Sequence, residues 1–121
     1  GHTVGHAVEA AAHWELSHGA SVAIGMAILT RALVREGCIP DEMRADLETL
    51  LSKTGLPSAV PAALRARSDL DFSPESLLKL CQHDKKAGAA DVALVLPVSP
   101  GCARIERTSW AKLLERIRAG L

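Results

Sequence analysis

Apolar residues recur at helical spacing along most of this chain. Val4, Ala7, Val8 and Ala11 form one side of a helix predicted from residue 2 to about 14. Ser17 is placed as N-cap of a second helix, from His18 to about Glu36, which is strongly apolar from Val22 to Val34. Gly37 is the expected left-handed cap at its end. Pro40 starts a third helix at its first turn, where Asp41 and Glu42 favour the positive end of the dipole. Met43, Leu47, Leu50 and Leu51 form its buried stripe, and Gly55 stops it. A turn-rich connection runs from Leu56-Pro57 to Pro61. Ser73-Pro74-Glu75-Ser76 reads as a capped helix start, and Leu77, Leu78, Leu80 and Cys81 carry that helix to His83 or Asp84. Asp84-Lys85-Lys86-Ala87-Gly88 then reads as a charged turn.

Strands are expected only near the end. Val92 to Pro97 is the best strand candidate, and Ala103 to Arg107 a second that could pair with it as a hairpin across Val98 to Gly101. Thr108 or Ser109 caps a last helix, Trp110 to Ala119. The expected fold is mainly α, a single helical domain over residues 1–121 with a small two-stranded β element. It is not the βαβ alternation of a nucleotide-binding domain, and neither GxGxxG nor a P-loop occurs.

Composition narrows the function classes. Apolar residues make up 48%, yet Phe72, Trp14 and Trp110 are the only aromatic ones, so Ala, Leu, Val and Ile must build the core, as suits packed helices. Fourteen basic and fourteen acidic residues cancel. That balance gives no reason to expect a nucleic-acid partner. Apolar runs are too short and interrupted to span a bilayer, and no signal peptide is visible. Cys38, Cys81 and Cys102 are far apart, without CxxC spacing, and read as reduced, mostly buried thiols of a cytoplasmic protein.

The chemistry concentrates at the start. Four of five histidines lie in the first eighteen residues, in Gly1-His2-Thr3-Val4-Gly5-His6-Ala7-Val8-Glu9 and Ser17-His18-Gly19. His2 and His6 are four apart and share a helix face. The turn before His18 can bring it back toward them, so imidazoles could meet as half of a catalytic metal site. Gly1, Gly5 and Gly19 flank these histidines, where close helix approach or an open pocket would want no side chain. Spacing alone leaves ordinary core or capping histidines as the alternative. His13 and His83 read as surface residues, and Trp14 and Trp110 as packing.

Taken together, these segments resemble 3-dehydroquinate synthase. The family pattern GHTxGHAxE followed by HGxxVAxGM is matched by residues 1–9 and by His18-Gly19-Ala20-Ser21-Val22-Ala23-Ile24-Gly25-Met26. Gly55-Leu56-Pro57 resembles its G-[LF]-P turn; Asp84-Lys85-Lys86 and Leu94-Val95-Leu96-Pro97 resemble its DKK element and following strand. One departure is Ala20, where many members have Glu.

The resemblance implies the later part of a helical C-terminal metal domain, with an NAD-binding domain outside this segment. Gly1 opens directly into the site without an initiator Met, and a fragment of a longer chain is expected. The implied reaction converts 3-deoxy-D-arabino-heptulosonate 7-phosphate, a phosphorylated sugar acid, to 3-dehydroquinate and phosphate in the shikimate pathway. The implied cofactors are NAD and zinc (or cobalt), and the implied full-length state is a homodimer. His2 and His18 match the two histidine metal ligands; the third, a glutamate, lies upstream. His6 matches the active-site histidine near the phosphate end of the substrate, with proton relay as its role. Lys85 and Lys86 match lysines that reach the substrate phosphate. Glu9 is open between orienting an imidazole and an ordinary helix-surface role. The rivals are another sugar phosphate cyclase, of the 2-epi-5-epi-valiolone or 2-deoxy-scyllo-inosose synthase type, and a metal-dependent polyol dehydrogenase. A non-catalytic helical module is the reading of another class. The segment alone is expected to bind metal poorly and to show no turnover.

Overall fold

A computed structural model describes residues 1–84 and 89–121. In chain order the elements are α1 (His2–Ala11), α2 (His18–Arg35), α3 (Asp41–Lys53), α4 (Ala62–Arg65), α5 (Pro74–Asp84), β1 (Asp91–Ser99), β2 (Cys102–Ser109) and α6 (Trp110–Gly120). The fold is mainly α with one two-stranded antiparallel sheet, as the residue pattern predicts. Among the described residues no helix is long and apolar enough to cross a membrane.

Helix α2 is the central rod. Its residues from Ala20 to Leu33 are buried on several sides, because α1, α3 and α6 all pack on it. Val4 and Val8 of α1, Ile24 and Ile28 of α2, Leu77 of α5, Leu94 and Leu96 of β1, and Leu113 and Ile117 of α6 form one core. Aliphatic side chains of this size fill the space between helices without aromatic rings.

Helix ends follow local chemistry. Ser17 Oγ accepts the Ala20 amide at 3.3 Å, and Ser109 Oγ accepts the Lys112 amide at 3.2 Å. Ser73 Oγ likewise accepts the Ser76 amide. At the C-terminus of α2, Gly37 has φ +70°, the Cys38 amide donates to the Leu33 carbonyl, and the Gly37 amide to that of Val34. This pair of bonds satisfies carbonyls that the helix leaves open. The end of α3 repeats it at Gly55, with Leu56 donating to Leu51 and Gly55 to Ser52.

Several expectations need correction. Helix α1 ends at Ala11, short of residue 14, because the same cap forms around His13 (φ 49°), with Trp14 donating to the Glu9 carbonyl. Pro40 is the N-cap of α3 and not its first helical residue. Of the predicted stripe on α3, Leu51 is buried, Met43 and Leu47 are half-buried and Leu50 is 58% exposed, since α2 covers only part of that face. A short helix, α4, follows Pro61. Cys38 and Cys102 are exposed; of the three only Cys81 is buried. Trp14 is exposed and not packed, whereas Trp110 is half-buried and donates its indole N–H to the Ala89 carbonyl at 2.7 Å.

The strands run longer than predicted. Val92, Leu94 and Leu96 face the core, while Ala93 and Val95 face outward. Val95 stands opposite Ile105, and the turn passes through Pro100 and Gly101, the latter at φ +75°. Thus β2 carries Glu106 and Thr108 toward α6. There Arg116, almost fully buried, meets Glu106 at 2.7 Å, Glu36 at 3.0 Å and Thr108 Oγ1 at 3.3 Å. Burial works against the Arg116 charge, but Glu36 and Glu106 outweigh it and hold its pKa above the usual value.

Candidate metal and substrate site

Helices α1 and α2 form an antiparallel pair that meets at two glycines. A Cβ on Gly5 would lie 2.8 Å from the Val22 Cα, and one on Gly25 would lie 2.5 Å from the Gly5 nitrogen. Gly19 has open space around it, so it serves no close approach. The contact sets the distance between the histidines of the two helices.

The sequence-predicted imidazoles do come together. Ring centroids are 5.7 Å apart for His2 and His6, 5.5 Å for His2 and His18, and 5.5 Å for His6 and His18. Spacing of i,i+4 puts His2 and His6 one turn apart on α1, and the tight α1–α2 turn puts His18, the first residue of α2, beside both. His13 and His83 are exposed, as expected, and belong to no part of this cluster.

Each of two rings also meets a carboxylate. His18 Nδ1 lies 3.2 Å from Glu9 Oε2, and His6 Nδ1 lies 3.4 Å from Asp84 Oδ2. Glu9 is well shielded and His18 half-exposed. An imidazole that donates from Nδ1 to a carboxylate keeps its lone pair on Nε2, the arrangement that suits a metal-binding histidine. Two imidazoles on one tetrahedral zinc, at Zn–N of about 2 Å, bring their ring centres to about 5 Å. The His2–His18 and His6–His18 pairs, both at 5.5 Å, are close to that spacing, so the cluster fits part of a zinc site. Among the described residues no group of three or more His, Cys, Asp or Glu is arranged to hold a metal ion.

Lys85 and Lys86 lie outside the described residues. They follow Asp84, the last residue of α5, in sequence. Asp84 stands first in the same charged motif, yet no spacing in the sequence marks it as a partner of His6. Beside the cluster, a groove of about 780 Å³ runs between α2, α3 and the hairpin, lined by Val22, Met26, Leu29, Leu47, Leu50 and Val95 and reaching the imidazoles through His2. Its apolar walls offer little to an anionic sugar phosphate, in contrast to the polar cluster at its end.

Residues 1–87 match the family model described as 3-dehydroquinate synthase C-terminal. A 3-dehydroquinate synthase of Dehalococcoides mccartyi is 36% identical over 98% of this chain and 32% of its own length. That of Thermosynechococcus vestitus is 35% identical over 98% of this chain and 32% of its own. The Streptococcus suis enzyme is 33% identical over 95% of this chain and 30% of its own. The chain thus spans about a third or less of the curated relatives it matches. Among solved structures, a 2-deoxy-scyllo-inosose synthase superimposes with a TM-score of 0.70 and 24% identity, covering 99% of this chain and 31% of that one. That likeness supports the fold. With a family model that matches residues 1–87 and relatives similar over nearly the whole chain, this chain belongs to the family of 3-dehydroquinate synthase C-terminal domains.

Proposed function

We propose that this chain is the later part of the metal-binding domain of a 3-dehydroquinate synthase. The whole enzyme would convert 3-deoxy-D-arabino-heptulosonate 7-phosphate to 3-dehydroquinate with release of phosphate. The observation that carries the reading is the convergence of His2, His6 and His18 in a chain whose relatives, similar over 98% of its length, are enzymes of that name.

In this reading His2 and His18 hold zinc together with a glutamate outside the segment. When bound, the metal polarises a substrate hydroxyl and lowers its pKa. Glu9 orients the His18 ring through Nδ1. His6, within reach of both ligands but not one of them, moves a proton at the substrate as phosphate leaves. Lys85 and Lys86 offset the charge of the phosphate. NAD is assigned mainly to a separate domain outside this segment. The complete enzyme is proposed to be a homodimer.

The test is phosphate release from 3-deoxy-D-arabino-heptulosonate 7-phosphate by the complete enzyme with NAD and zinc, for wild type and His18→Ala. Turnover that requires both cofactors and collapses in the variant supports the reaction and the ligand role together. No release from this substrate, with activity on another heptulose 7-phosphate, would move the protein to a sister cyclase.

A further inference from the structure

The register between α1 and α5 brings a carboxylate to the imidazole cluster. Cys81 Sγ donates to the Thr3 carbonyl at 3.4 Å, joining the buried faces of the two helices. Three residues on in each helix, one turn further along the same face, His6 and Asp84 meet, with Nδ1 and Oδ2 3.4 Å apart. The same step of three in both helices makes the His6–Asp84 contact a consequence of how α1 and α5 pack. It also parallels the Glu9–His18 pair, where a carboxylate again faces Nδ1.

The geometry points to Asp84 as the positioning residue of His6. Its carboxylate accepts the Nδ1–H, fixes the ring's orientation and tautomer, and leaves the Nε2 lone pair for proton transfer at the substrate. Lys85 and Lys86 follow directly in sequence, so one motif supplies both the partner of the proton-relay imidazole and the lysines proposed to meet the phosphate. The tautomer stands on geometry alone, while its catalytic consequence rests on the proposed reaction.

Two measurements test it. In histidine-selective ¹⁵N spectra of the 121-residue chain at about pH 8, assigned with His6→Gln, wild-type His6 is expected as the Nδ1–H tautomer. Asp84→Ala should shift it toward the Nε2–H form that a free neutral imidazole prefers, and Asp84→Asn, which keeps an acceptor oxygen, should retain Nδ1–H. In the complete enzyme, Asp84→Ala should lower kcat by about 10- to 100-fold, with KM and zinc content nearly unchanged, and Asp84→Asn should recover most of the loss. A wild-type His6 already in the Nε2–H form overturns the inference without any variant. So does a tautomer that Asp84→Ala leaves alone, or an effect confined to KM. The expected tautomers without phosphate release from the named substrate would support the role of Asp84 and remove the proposed reaction; release with the wrong tautomer would do the reverse.

Discussion

Gly25 sits directly against Gly5 across the α1–α2 crossing. A Cβ on Gly25 would fall 2.5 Å from the Gly5 nitrogen and 2.4 Å from the Gly1 carbonyl oxygen. Both neighbours are backbone and cannot turn aside. Gly25→Ala must therefore push α1 off α2, which would also part His2 and His6 from His18. Overpacking of this kind costs about 3 kcal/mol. The expected result is a lower urea midpoint at unchanged slope, together with loss of the zinc binding proposed for the complete enzyme. An unchanged midpoint would show that the helices do not meet this closely.

In the proposed function Glu9 acts through His18. Its carboxylate is mostly shielded and lies 3.2 Å from the ring that proposes itself as a ligand. Removing its charge while keeping its shape, in Glu9→Gln, should weaken zinc binding by the complete enzyme about 10- to 100-fold. His18→Ala should weaken it further. Competition against a chromogenic chelator measures both. Equal zinc affinity in Glu9→Gln and wild type would leave Glu9 as an ordinary helix residue.

His13 adopts φ 49° in the cap that ends α1, a position that Gly37 and Gly55 fill in the other two caps of this type. A side chain in the left-handed region costs about 1–2 kcal/mol, and part of that is recovered with glycine, whose unfolded state is freer. His13→Gly should stabilise the protein by about 0.5–1 kcal/mol. Denaturant unfolding checks this, and a loss of stability would mean that the His13 side chain contributes something the cap geometry does not show.

These caps show what the sequence reveals and what it hides. Gly37 and Gly55 are readable because glycine is the residue that favours positive φ, whereas the cap at His13 has no such marker, and the predicted helix overruns to residue 14. The histidine cluster is readable because i,i+4 spacing and a short turn are local facts. The Asp84–His6 contact spans 78 positions and depends on how α5 packs, so no spacing rule exposes it. Leu50 fails for a related reason. Periodicity shows which side of α3 is apolar, but not how much of that side α2 covers, and Leu50 is left on the wall of an open groove.

Arg116 ties three elements together, and its removal should be felt most in acid. Hydrogen bonds from its guanidinium hold Glu36 and Glu106 below the ordinary glutamate value of 4.5. The unfolded chain lacks this pairing, so each carboxylate binds its proton more readily there than in the folded state. The stability they supply is therefore present above pH 4.5 and is lost as pH falls from 4.5 through the lower folded values. Arg116→Met should cost about 3 kcal/mol at neutral pH, the lower end for breaking a buried pair, because both carboxylates keep some solvent contact. It should also flatten the decline of stability below pH 4.5. Urea midpoints between pH 6 and 3.5 measure both effects. A variant that loses stability at pH 7 but keeps the wild-type acid slope would show that other carboxylates set the acid limit, with Arg116 contributing by packing alone.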